Sequence, residues 1–189
     1  MNEDQQSEWL QTVHFLLKYI GMEAIMDNTN ILNSDQFQII CKKRLKEKFI
    51  LEWKDQLKKE NSKLDIYVKI KENFDRESYL KDVNNFQLRK IITKFRCSDH
   101  KLEIEKGRHN NIPRESRLCK ICLTDVENEI HFLCTCPTYN NLRLRYFGES
   151  TLTTEMGKNI LACKEKAVSF NLANYLVRAY KKKETILST

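Results

Sequence analysis

The stretch Cys119-Lys120-Ile121-Cys122-Leu123-Thr124-Asp125-Val126-Glu127-Asn128-Glu129-Ile130-His131-Phe132-Leu133-Cys134-Thr135-Cys136-Pro137 decides how this chain is read. Its spacing, Cys-x2-Cys-x8-His-x4-Cys, places three thiolates and one imidazole within eighteen residues. That is the ligand set of a closed tetrahedral zinc site. Two residues between the first cysteines let one tight turn aim both sulfurs at a point, and His131-x4-Cys136 brings the second pair from the other side. A closed set leaves no coordination position for an activated water, so one structural Zn2+ acting as a scaffold is expected. Spacing alone also allows His131-x2-Cys134 to close the site.

Working outward, the seven cysteines are an odd number, four of them between positions 119 and 136. A secreted disulfide framework more often shows an even count behind a signal peptide. The start, Met1-Asn2-Glu3-Asp4-Gln5-Gln6, carries no apolar segment, and no run approaches the roughly eighteen apolar residues of a membrane span. An intracellular protein with reduced thiols and no membrane partner is expected. The formal charge of +7 points to an anionic partner, with nucleic acid the commonest. Much of that charge belongs to solvated helix faces, because the 33 basic and 26 acidic residues are mixed along the chain.

Only four glycines and two prolines punctuate 189 residues, and the apolar spacing is mostly helical. Trp9, Val13, Leu16, Leu17 and Ile20 form one stripe, closed by Gly21. A second helix is predicted from a Ser34-Asp35 cap, with Phe37, Cys41, Leu45, Phe49, Trp53 and Leu57 recurring every fourth residue. Its opposite face carries Lys42, Lys43, Arg44, Lys46 and Lys48. From Asn61 the pattern loosens, and Leu64, Ile66 and Val68 alternate like a short strand or extended segment. Leu88, Ile91, Ile92 and Phe95 return to helical spacing. Residues 98–118 are expected to be mostly irregular, given Gly107 and the Ile112-Pro113 step. A short helix from Tyr139 to Phe147 follows the metal segment. A last one holds Val168, Leu172, Tyr175, Leu176 and Ala179 and ends in Lys181-Lys182-Lys183. The expected fold is mainly α: a helical region (1–97), a basic loop with a single-zinc Cys3His module (98–147) and a C-terminal helical segment (148–189).

From Leu88 to Arg143 the chain resembles the zinc-binding segment downstream of the polymerase in reverse transcriptases of non-LTR (LINE-type) retrotransposons. The resemblance is carried by Leu88-Arg89-Lys90-Ile91-Ile92-Thr93-Lys94-Phe95-Arg96, Ser98-Asp99-His100, Glu105-Lys106-Gly107-Arg108 and Ile112-Pro113-Arg114. It continues through Arg117-Leu118-Cys119, Val126 to Phe132 and Cys136-Pro137, about a third of the chain in all. It implies metal ligation by Cys119, Cys122, His131 and Cys136, with Cys134 a small apolar filler. It also implies a nuclear setting, towards which the Lys181 to Lys183 run points only weakly. The chain has no Tyr-x-Asp-Asp motif and no adjacent aspartate pair, which a two-magnesium polymerase centre requires. It therefore looks like the tail of such an enzyme without its catalytic part. No glycine-rich phosphate loop or Ser/His/Asp order appears either, so neither catalysis nor a small-molecule substrate is expected.

A non-catalytic nucleic-acid-binding module, helping a polymerase hold RNA template or target DNA, is the leading expectation. The gap of eight between Cys122 and His131 is not that of a retroviral zinc knuckle, and there is no two-Cys, two-His recognition helix. Phosphate contact and stacking on RNA or single-stranded DNA suit the module best. Arg108, Arg114, Arg117 and Lys120 leading into the site, and Arg143 and Arg145 leaving it, are the candidate contacts. Tyr139 and Tyr146 either offer a stacking face or pack beneath the metal, and Arg114 and Arg117 alternatively pair with Glu115, Glu127 and Glu129. The other expectation is a protein-interaction module whose zinc only stiffens a docking surface. Cys41, Cys97 and Cys163 are expected in the core, and His100 and His109 in solvent. Metal loss is expected to unfold residues 112–147 and spare the helical remainder.

Overall fold

Why this chain becomes helical is visible at its caps. The computed structural model describes residues 7–25, 33–57 and 63–188; the polar start, Met1 to Gln6, and the Asn61 end of the loosened stretch lie outside them. The chain divides into two units, Met1–Lys59 and Glu60–Thr189. Among the described residues there is no strand, and the only sheet-like pairing is a single antiparallel bridge between Leu118 and Val126.

In the first unit, helix α1 (Glu8–Tyr19) begins where the Ser7 hydroxyl accepts the Leu10 N–H at 3.4 Å. It ends in a Schellman turn: Met22 N–H donates to Leu17 C=O at 2.8 Å, Gly21 N–H to Lys18 C=O at 3.0 Å, and Gly21 takes φ +68°. The glycine is needed there because a Cβ is strained at that φ. Helix α2 (Ser34–Leu57) is capped one residue earlier than the Ser34-Asp35 pair suggests. Asn33 Oδ1 accepts the Gln36 N–H at 2.8 Å, and Gln36 Oε1 reaches back to the Asn33 N–H at 3.4 Å, a reciprocal capping box. Leu17, Ile20 and Met22 form the core of this unit, with Val13, Phe37, Ile40 and Cys41 against them. The expected four-residue stripe does not stay buried: Leu45 and Phe49 are 46% and 52% exposed. Steps of four residues rotate about 40° further round a helix each time, so a long series of them winds off any one face.

The second unit holds one continuous core. The stretch of Leu64, Ile66 and Val68, whose alternation suggests a short strand or extended segment, instead leads into helix α3 (Asp65–Ile70), which buries Ile66 and Ile70 one turn apart. Helices α4 (Tyr79–Asp82) and α5 (Phe86–Arg96) follow, the latter capped by Asn85 Oδ1 accepting the N–H groups of Gln87 and Leu88. The span expected to be irregular contains helix α6 (Glu103–His109). Its interior Gly107 is required by packing. A Cβ there would lie 2.5 Å from the Arg117 stem. After the metal segment come α7 (Asn140–Phe147), α8 (Thr154–Ala162, capped by the Thr153 hydroxyl) and α9 (Lys166–Ser188). Helix α9 packs along α5 and α7 and buries Leu172, Tyr175, Leu176 and Ala179.

The sequence-based boundaries at 97/98 and 147/148 both fall inside this unit. Phe132, from the metal segment, lies 5.9 Å from Phe95 of α5 and 5.1 Å from Tyr180 of α9, centroid to centroid. The metal segment is therefore packed into the unit's core, an arrangement that favours shared unfolding over the expected separate unfolding of residues 112–147.

Candidate metal centre

Two local structures build the centre. The first is a hairpin-like loop: Cys119 N–H donates to Asp125 C=O and Glu127 N–H to Arg117 C=O, both at 2.9 Å. Leu123 N–H closes the turn onto Cys119 C=O, also at 2.9 Å, with Leu123 in the left-handed region at φ +58°. This fold of the chain brings Cys122 back beside Cys119. The second is a single π-helical turn, His131–Thr135, closed by the Cys136 N–H donating to the His131 carbonyl at 2.9 Å. Such turns are rare and concentrate at functional sites. The preceding turn is anchored by Asn128 Oδ1 accepting the His131 N–H at 2.8 Å.

The ligand atoms of Cys119, Cys122, His131 and Cys136 all lie within 4.8 Å of one another. Tetrahedral zinc with sulfur at about 2.3 Å and nitrogen at about 2.0 Å needs ligand atoms somewhat under 4 Å apart, so small adjustments suffice. His131 Nε2 faces Cys122 Sγ at 3.3 Å, while its Nδ1 meets the Thr135 hydroxyl at 3.2 Å and the Asp125 carboxylate at 3.7 Å. A second partner on the far nitrogen fixes the ring for ligation. Cys119, His131 and Cys136 are buried, and Cys122 is half-buried with the Thr124 hydroxyl donating to its sulfur at 3.1 Å.

The crowding shows in the thiol acidities. The hydrogen bond between them draws Cys136 down to about 7 and pushes Cys119, which burial also raises, up to about 11. Burial alone would lower His131, but the Cys119 and Cys122 sulfurs hold it above its usual value. Cys134 is different. Burial pushes it up to about 11 and its sulfur faces Gly157 of α8, so it sits outside the four-residue cluster. The donor set fits one metal ion and chemically suits zinc, since three soft thiolates and an imidazole are its usual structural ligands.

The candidate basic contacts fare differently. Arg114 and Lys120 keep 60% and 58% of their side chains exposed, with Arg114 3.6 Å from Asp65 and Lys120 3.2 Å from Glu103. Arg145 is exposed, its guanidinium 5.6 Å from the Tyr146 ring centroid. Arg108 makes a two-pronged pair with Glu105 and is partly exposed. Arg117 is occupied in holding backbone: it donates to the carbonyls of Ile112 at 2.8 Å and Ile104 at 2.9 Å. Arg143 is a correction. It is fully buried, donating to Ser150 C=O at 2.6 Å, to Cys136 C=O at 2.7 Å and to Asn140 Oδ1, and offers no surface.

Tyr139 lies wholly beneath the centre, 4.7 Å from the Phe132 centroid, and Tyr146 packs half-buried against the same core. Expected in solvent, His100 is instead enclosed. Its Nε2 lies 2.9 Å from Glu129, whose other partner is the Ser98 hydroxyl. His109 is exposed and Cys163 buried, as expected; Cys41 and Cys97 are half-buried.

Two residues that local sequence leaves as loose charge prove central. Glu127 is wholly buried beside Cys119, and Lys183 of the terminal basic run is buried against it. The inward stripe of Leu172, Tyr175, Leu176 and Ala179 continues at helical spacing onto Lys183, the one hint that it lies on the inward face of α9. No helix among the described residues is long and apolar enough to cross a membrane. No family model matches the chain, and neither does any curated protein or solved structure, so the retroelement resemblance rests on residues and spacing alone.

Proposed function

We propose that the chain is a non-catalytic, zinc-stabilised module that binds RNA or single-stranded DNA through phosphate contacts and stacking, as its resemblance to a retrotransposon reverse-transcriptase tail implies. The observation that carries this reading is the position of Lys120. It lies inside the metal loop between two ligands, exposed, with exposed Arg114 six residues before it, on a chain of formal charge +7. Arg145 over the Tyr146 ring supplies a further cation. A closed four-ligand centre has no open position for chemistry, which favours a scaffold over a catalyst. Setting Lys183 inside the core leaves the terminal lysine run poorly suited to act as an exposed localisation signal; the nuclear setting thus leans on the resemblance.

Binding of a labelled single-stranded RNA and DNA at two salt concentrations, with and without a chelator, tests this. Salt-sensitive binding that chelation abolishes supports the reading, and no binding at low salt overturns it.

A second reading is a protein-docking module. Leu118 and Leu123 on the metal loop are 43% and 69% exposed, and Ile112 is 39% exposed, an apolar rim beside the ligands. Salt-insensitive capture of a protein partner, lost on Leu123→Asp, would favour it.

A further inference from the structure

Lys183 is the least expected cation in the molecule. Its ammonium lies 2.5 Å from both oxygens of Glu127, its side chain is 6% exposed and that of Glu127 is 0% exposed. Lysine is almost never buried so far without compensation. The Glu127 carboxylate has two further neighbours. It accepts the Glu103 N–H at 2.8 Å, and the Cys119 sulfur lies 3.8 Å from its Oε1.

That last contact changes character when metal binds. Three thiolates and a neutral imidazole around a divalent ion leave one net negative charge. A buried carboxylate beside it makes a second. Two like charges in one dry pocket repel strongly, and a cation held on the carboxylate removes most of the cost. Arg143, donating to the Cys136 carbonyl on the other side, is the second buried cation near the centre; no carboxylate among the described residues lies within ion-pair distance of it. Helix α9 is tied to the same segment twice more. Tyr175 donates to the Phe132 carbonyl at 2.7 Å, and Lys182 to the Thr138 carbonyl at 2.6 Å.

We propose that Lys183 is the buried counter-charge of a metal–thiolate centre, so that metal binding and docking of the end of α9 are one linked equilibrium. The lysine is a positioning residue: it touches Glu127, and through the field in that pocket it stabilises the anionic centre. Linkage is reciprocal, so whatever Lys183 contributes to metal affinity, the metal returns to the seating of α9. The inference rests on metal binding by the four-residue cluster and is independent of any nucleic-acid partner.

The test is zinc affinity by chelator competition on the full chain, with helicity measured for each variant to confirm folding. Lys183→Met is expected to weaken zinc binding about 10- to 100-fold, the usual effect of removing a group that supports a ligand. Lys183→Arg, which keeps the charge but must seat a larger planar head against Glu127, should bind zinc more tightly than Lys183→Met. The decisive arm is Lys183→Met made in a Glu127→Gln background. If the lysine acts on the centre itself, zinc binding there is still about tenfold weaker than in Glu127→Gln alone. If it serves only as a partner for Glu127, the effect vanishes in that background and the proposal falls. Amide exchange across residues 176–186 should quicken at least about tenfold when zinc is stripped from the parent chain; unchanged exchange overturns the linkage. A parent chain that binds zinc while Lys183→Met equals it refutes this inference alone, whereas a parent that binds no zinc refutes the metal reading as well.

Discussion

Lys183 and Glu127 meet at 2.5 Å across 56 residues of sequence, both buried, and join the last helix to the loop that carries Cys119. A buried pair of this kind is no large net source of stability, but breaking it by removing one partner typically costs about 3–5 kcal/mol. The pair ties the seating of α9 to the metal loop.

Because Phe132 and Tyr139 share one core with Phe95, Tyr175 and Tyr180, metal loss should reach beyond the metal loop. Structural zinc contributes on the order of 10–16 kcal/mol of apparent binding energy in small modules. Cys122→Ser is expected to lower the melting temperature of the whole 60–189 unit and flatten its near-ultraviolet tyrosine dichroism. Loss confined to the metal loop, with that dichroism intact, would show a separable module.

Arg143 and the pair Arg114 with Lys120 should separate stability from binding. Arg143→Met leaves the Ser150 carbonyl without its donor and the Cys136 carbonyl with the Tyr139 N–H alone, and should cost about 2–4 kcal/mol in denaturant unfolding. The joint change Arg114→Gln with Lys120→Gln should cost under about 1 kcal/mol, since both side chains are exposed. It should instead weaken single-strand binding and reduce the slope of log affinity against log salt by about 1.4, or roughly 0.7 for each phosphate no longer neutralised. An unchanged slope removes both residues from the footprint.

Cys134 and Cys136 should part company under substitution. Cys136→Ala removes a ligand and should abolish stoichiometric zinc, whereas Cys134→Ala should keep it. Gly157→Ala would drive a methyl into the Cys134 sulfur and should destabilise by about 1–3 kcal/mol. Adding Cys134→Ala to Gly157→Ala should recover part of that loss, and full additivity of the two costs would contradict the contact.

Acid should weaken the start of α6. Burial alone would raise the Glu103 carboxyl, but hydrogen bonds from Lys106 and Lys120 hold it below its ordinary 4.5. A carboxyl depressed on folding adds stability that is complete above that ordinary value and disappears as pH falls through the depressed one. Unfolding followed from pH 6 down to pH 3 should therefore show a shallower acid decline for Glu103→Gln than for the parent. Superimposable declines would mean that Glu103 is not linked to folding.

The ligand set is legible in the sequence because each ligand is a rare residue type and the metal imposes the spacing. Helix α1 is legible from its apolar stripe and from Gly21, which does local chemistry at its end; the Ser7 cap emerges only in the structure. Helix α6 is hidden because Gly107 looks like a breaker until Arg117, ten residues on, is seen lying across it. Leu64, Ile66 and Val68 alternate over too few residues to tell a strand from a single helical turn, and packing of Ile66 and Ile70 decides for the helix. Arg143, His100 and Lys183 mislead for one shared reason. Each is a polar residue that the fold turns inward onto a partner: His100 and Lys183 meet carboxylates 29 and 56 residues away, Arg143 meets carbonyls seven residues to either side, and no local pattern encodes that.

X-ray absorption at the metal edge of the purified, metal-loaded chain tests the central claim most directly. One zinc per chain surrounded by three sulfurs at about 2.3 Å and one nitrogen at about 2.0 Å is the predicted result. No bound zinc, or a shell dominated by oxygen, would contradict it.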